Sequence, residues 1–258
     1  HLVDLRCRQA AEVAARRASL DLDGGLLETL SAGHALGRAL AAGLDGVRPA
    51  DRLFHDLPGL LLGRLAQALA DQGLTGGGEG IDRDFAPDAT LEDGAVITGQ
   101  DWELTALHTP GHIGNHLCFH WQNAVFTGDH VMGWASSLVS PPDGDLTDFM
   151  RSCDRLAGID AAVYYPGHGA PVADPAARLN WLMTHRRGRE AQIMGQLSAD
   201  THDVSSLTKA IYTDIPKGML PAAERNVFAH LIDLHERGLI GAEPALRLQA
   251  RFTQKARD

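Results

Sequence analysis

The chain has 258 residues, 44% hydrophobic and 22% charged, enough to bury the core of one large globular domain or of one domain with a small appendage. Its formal net charge of -10 at pH 7 excludes a protein that coats DNA or an anionic membrane through bulk charge, and leaves nucleic acid only as a site-specific substrate. Cys7, Cys118 and Cys153 are far apart and form no C-x-x-C pair, which excludes a disulfide framework and a thiolate zinc knuckle and makes a reducing cytoplasm the default compartment.

Residues 1 to 75 are rich in Ala, Leu, Arg and Gly and favour helix by propensity. The clearest helix there runs from Leu60 to Leu69 and ends near Gly73. The chain opens on His1, without methionine or a leader-like segment, and reads as a fragment or a processed form. No apolar run approaches the ~20 residues that a membrane helix needs. Gly76, Gly77 and Gly78 then form a flexible joint.

After Ile81 short apolar runs alternate with turn residues: Ala95 to Thr98, Trp102 to His108, His116 to Trp121 and Ala124 to Thr127. This is the texture of a β-meander. A helix is predicted from Asp145, because Phe149, Cys153 and Leu156 recur at helical spacing and Gly158 supplies a stop. Ala161 to Tyr164 reads as one more buried strand. From Asp174 the chain turns helical, with Leu179, Leu182 and Met183 as an apolar stripe. Arg186, Arg187 and Arg189 read as a solvated helix face. Two helices follow, Ser205 to Tyr212 and Ala222 to Arg237; Val227, Leu231 and Leu234 share a face of the second, and an apolar turn at Leu239 and Ile240 closes a winged-helix outline. Three units result: an atypical segment 1–75, a core 76–173 and a helical tail 174–258.

Three motifs share one construction, an apolar strand that delivers a metal-type ligand to a tight turn. They are Thr109-Pro110-Gly111-His112, Thr127-Gly128-Asp129 and Tyr165-Pro166-Gly167-His168. Proline fixes one backbone angle and glycine frees the next, so the imidazole can be aimed off the strand end. Imidazole and carboxylate suit zinc or a similar divalent ion, and two ions ~3.5–4 Å apart can activate water and clamp a leaving group. His108, His116, His120 and His130 read as packing or supporting groups. Asp143 and Asp145 read as turn and cap residues, and the loop from Trp134 to Asp145 lines the substrate cleft.

In that order the three motifs resemble the later motifs of the metallo-β-lactamase superfamily, and the tail, with Thr184-His185-Arg186-Arg187 and Arg189-Glu190-Ala191-Gln192-Ile193, is similar to its branch of β-lactamase-like proteins and endoribonucleases with a C-terminal winged-helix-like domain. The resemblance implies an α+β fold, an αββα sandwich whose N-terminal half is incomplete or irregular here. It further implies that His112 binds one metal, that the catalytic Asp129 bridges both, and that His168 binds the second. The expected activity is a metal-dependent hydrolase with Zn2+, using a metal-bound hydroxide on a phosphodiester, thioester, lactone or lactam. A small molecule or single-stranded RNA would be the substrate, and a homodimer is compatible.

The family's His-x-His-x-Asp-His element has no counterpart, since the only histidines before His108 are His1, His34 and His55. Truncation, a frame change or divergence would each produce that, and fewer or weakly bound ions and impaired activity are the expectation. The competing reading is a non-catalytic scaffold whose winged helix binds nucleic acid or protein through Ala222 to Arg237. The mixed charges of that helix, Glu224, Asp233 and Glu236 against Arg225 and Arg237, suit phosphate poorly.

Overall fold

The computed structural model describes residues 90–99 and 102–256; the helix expected from Leu60 to Leu69 and the rest of segment 1–75 lie outside them. Five strands form one sheet in the order β1 (Val96–Thr98), β2 (Glu103–His108), β3 (Leu117–Trp121), β4 (Ala124–Gly128) and β5 (Val163–Pro166). The first four pair antiparallel, as a meander should. β5 pairs parallel to β4, which requires a crossover, and helix α1 (Leu146–Ala157) lies within it.

Register divides the apolar side chains between the two faces of the sheet. Leu107 pairs with Cys118 and Val125 with Tyr164, and all four enter one buried cluster with Phe149, Cys153 and Leu156 of α1. Ala106, Phe119 and Phe126 are their neighbours in register, and they point into a second cluster on the other face with Leu104 and Leu117. A sheet buried on both faces needs near-continuous apolar strands, which explains the runs seen in the sequence. The helix expected from Asp145 begins there, where the Asp145 side chain accepts from the Asp148 N–H. Gly158 follows its last residue.

Helix α2 (Pro175–Leu197) is capped by Asp174, whose carboxylate accepts from the Ala177 N–H. It is long enough to serve two cores. Leu179 and Leu182 join the α1 cluster, whereas Ile193 and Leu197 join a third cluster with α3 (Val204–Ile211) and α4 (Leu220–Glu236). After Gly238, whose φ of +72° suits a helix stop, the chain forms a two-stranded wing. There β6 (Ile240–Glu243) pairs with β7 (Arg251–Gln254). The apolar turn expected at Leu239 and Ile240 is therefore the start of a strand. Its partner β7 buries only Phe252, too little pattern to read locally. Strand β5 likewise falls two residues beyond the expected start at Ala161.

Arg186 corrects the sequence reading more sharply. Expected on a solvated face, it is 3% exposed, because α2 is covered by the loop that follows β4 and by α4.

Candidate functional site

Parallel pairing of β4 and β5 does the main positioning work. Gly128 stands opposite Pro166 in register, and the Gly167 N–H donates to the Gly128 carbonyl at 2.8 Å. The residues that follow each strand therefore leave the sheet side by side. His168 Nε2 lies 3.5 Å from Asp129 Oδ2. A side chain at position 167 would place its Cβ 2.6 Å from Asp129 Oδ1, so glycine there admits the carboxylate. Gly128 has a φ of +50° and its open side faces His116. This left-handed turn aims Asp129 off the strand end.

Asp129 carries the most informative feature. Its Oδ1 is buried and meets no hydrogen-bond donor, a costly condition for a carboxylate oxygen. His168 stands on an open rim, its side chain 60% exposed. Beside it Trp134, 71% exposed, packs on Gly169, where an added Cβ would lie 2.7 Å from the indole Cδ1.

His112 is delivered by the turn after β2. Gly111 has a φ of +138°, and any Cβ there would run into the Phe149 backbone of α1. The Asp145 N–H donates to the Gly111 carbonyl at 2.9 Å, and the Ser152 hydroxyl donates to the Pro110 carbonyl at 2.7 Å. His112 Nδ1 lies 2.6 Å from the Leu138 carbonyl oxygen. A carbonyl only accepts, so Nδ1 carries the proton and Nε2 keeps its lone pair, the tautomer usual in metal-binding histidines whose Nδ1 is held by a backbone oxygen. Asp129 and His168 thus stand together. Among the described residues no three or more His, Cys, Asp or Glu side chains gather closely enough to hold an ion, so His112 is oriented for ligation without being drawn into a three-donor group.

The neighbouring histidines are structural. His116 is buried, with Nδ1 2.9 Å from the Thr109 hydroxyl. His130 is fully buried against Phe149, with ring centroids 4.5 Å apart, and Nε2 3.8 Å from the Cys153 sulfur. Burial first, then the nearby His112, pushes the His130 pKa down to about 3. His108 Nε2 lies 3.0 Å from the Gly114 carbonyl. Burial raises the Cys118 and Cys153 thiols to about 12, which makes both inert.

Sequence reasoning missed Ser137, whose hydroxyl donates to the Asp129 carbonyl at 2.5 Å and the His130 carbonyl at 2.8 Å. It also missed Asn226, 87 residues from its partner Val139. Neither carries a local signal.

A profile of the metallo-beta-lactamase superfamily matches residues 32–168, and one of the beta-lactamase associated winged helix domain matches residues 204–245. The chain is 28% identical over 146 residues to a beta-lactamase-like protein 2 homolog of Drosophila melanogaster, covering 55% of this chain and 49% of that protein. It is 33% identical over 133 residues to an atrochrysone carboxyl ACP thioesterase of Paecilomyces divaricatus, covering 50% and 41%. A solved metallo-beta-lactamase family protein from Thermus thermophilus superposes with a TM-score of 0.58 at 27% identity, covering 66% of this chain and 55% of that one. The chain spans half or less of the length of these two curated relatives.

Proposed function

For this chain, which belongs to the metallo-beta-lactamase superfamily, we propose hydrolysis of an ester-type bond, with an acyl thioester as the substrate class to test first. The observation that carries the reading is Asp129. A buried carboxylate oxygen without a donor, 3.5 Å from an imidazole at the ends of two parallel strands, is what a divalent cation would satisfy. The donor set, two imidazoles and a carboxylate, is the chemistry that zinc or iron accepts. Asp129 and His168, which stand together, would hold the ion, and Nε2 of His112, outside that pair in this structure, would have to move in as a third donor; when bound, the ion supplies Lewis acidity and lowers the pKa of water. Further donors are needed for a second ion, and a single, weakly held ion is the expected stoichiometry.

The chain's own side chains define the rest. In the reaction the oxygen of water bonds to the acyl carbon and the water gives up a proton to solvent, the C–S bond breaks with its electron pair going to sulfur, and the thiolate takes up the second proton, leaving a carboxylate and a thiol. The Ser137 hydroxyl donates to the Asp129 main-chain carbonyl and so fixes the turn from which the carboxylate projects. Exposed Trp134, packed on Gly169 next to His168, offers a flat apolar wall for an acyl group. A thioesterase among the relatives supports that choice of substrate. A cytoplasmic location is part of the proposal; among the described residues no helix is long and apolar enough to cross a membrane.

The scaffold reading draws on the sparse donor set, but α4 speaks against its nucleic-acid form. Val227 to Leu234 are all buried, so the middle of the helix expected to recognise DNA has no face to lay in a groove, and the partly exposed ends carry Glu224 and Glu236 beside Arg225 and Arg237. The test is Asp129→Asn, which keeps the shape and removes the charge. Turnover of an acyl thioester that needs added zinc or manganese and falls at least 100-fold in D129N supports the proposal. No turnover with either metal, or full activity in D129N, refutes it.

A further inference from the structure

The segment from Met132 to Pro142, between Asp129 and α1, contains no helix or strand, yet it is tied at one main-chain group after another. The tail makes most of the ties. Arg178 of α2 donates from Nε to the Met132 carbonyl at 2.7 Å and from Nη2 to the Ala135 carbonyl at 2.6 Å. Arg186 of α2 donates to the Ser137 carbonyl and, at 2.9 Å, to Asn226 Oδ1. That same oxygen accepts from the Val139 N–H at 3.2 Å, and Arg225 of α4 donates to the Pro141 carbonyl at 3.0 Å. Between the anchored residues Ser137 and Val139 lies Leu138, whose carbonyl accepts from His112 Nδ1 at 2.6 Å.

Arg186 shows what this arrangement costs. Burial lowers its pKa to about 10, and among the described residues no carboxylate pairs with it. Its charge is met by the Ser137 carbonyl, the Asn226 amide and the Phe149 ring, whose centroid is 5.1 Å from Cζ. A hydrophobic residue would fill such a position at lower cost. What the guanidinium adds is direction, because its planar fork fixes the Ser137 carbonyl and the Asn226 oxygen relative to one another.

We infer that Arg186 and Asn226 of the helical tail are positioning residues for His112: by clamping Ser137 and Val139 they present the Leu138 carbonyl that holds the His112 ring with its proton on Nδ1 and its lone pair on Nε2. The tail then sets the geometry of a ligand that lies outside it, and does so through hydrogen bonds without touching that side chain. The functional weight of this inference rests on His112 being a cation ligand, as proposed above; the tautomer itself does not.

The test uses the full chain with histidine labelled by 15N, freed of metal with chelator, at one pH where the ring is neutral. Long-range 1H–15N spectra report which nitrogen carries the proton. In the parent protein His112 shows a protonated Nδ1 and a pyridine-type Nε2. Asn226→Ala removes the shared acceptor, and its His112 signals move toward the averaged positions of a free ring. Asn226→Asp keeps an acceptor oxygen toward Arg186 and Val139, and restores the parent tautomer. Zinc affinity is expected to fall about 10- to 100-fold in N226A and to recover in N226D. Should N226A fail to fold, Arg186→Lys keeps the positive charge but loses the planar fork that joins the Ser137 carbonyl to Asn226, and a smaller shift of the same sign is expected. An unchanged His112 tautomer in folded N226A, or in R186K where N226A does not fold, overturns the inference. Zinc binding unaffected by His112→Ala, beside a tautomer shift in N226A, would instead refute only the ligand role of His112.

Discussion

Replacing His230 with methionine should make the protein more stable, and more so in acid than in base. His230 sits in the middle of α4, 2% exposed, and neither ring nitrogen has a hydrogen-bond partner. Burial pushes its pKa down to about 3, with Arg186, His185 and Arg189 of α2 and Arg237 after α4 adding to the effect. His130 is also held neutral, down to about 3. In the unfolded chain both rings return to about 6.5. Between those values the unfolded chain binds more protons than the folded one, so this part of the stability is complete above pH 6.5 and is lost as pH falls. From pH 8 to pH 5 each histidine costs about 2 kcal/mol, with a limiting slope of about 1.4 kcal/mol per pH unit. His230→Met removes one of the two. Methionine is flexible enough to fill the site, and losing two orphaned ring nitrogens should gain about 1–3 kcal/mol even at pH 8. Urea denaturation of both proteins at pH 8, 6.5 and 5 measures this. A variant that loses stability toward acid as steeply as the parent, or that is less stable at pH 8, would show that His230 is not a buried neutral ring.

Alkylation with iodoacetamide at pH 8 should leave Cys118 and Cys153 unmodified in the native protein and modify both in urea, as read by peptide mass mapping; native labelling of either would contradict their burial and their raised pKa. Trp134→Ala should raise KM for an acyl thioester about 10-fold, equivalent to about 1.4 kcal/mol of lost contact, and leave kcat and the melting temperature close to the parent values. A melting temperature that drops instead would assign the exposed indole a packing role.

Much of the fold could be read from the chain because it rests on local rules. Phe149, Cys153 and Leu156 specify the buried stripe of α1, Asp145 and Gly158 bracket that helix, and alternating or continuous apolar runs locate the strands of the meander to within a few residues. The Pro-Gly-His and Gly-Asp turns marked where ligand-type side chains leave those strands, since a turn's chemistry is written in three or four adjacent residues. Tertiary structure alone decided which turns meet. Asp129 and His168 come together because β5 pairs parallel to β4 in a particular register, a long-range choice that no window of sequence contains. The same holds for Arg186. Its charge in a run of arginines argues for solvent, and only the covering loop and Asn226, 40 residues away, turn it inward. Hydrogen bonds between a side chain and a distant main-chain group leave no periodicity behind, so the clamp on Leu138 became visible only once the chain was folded.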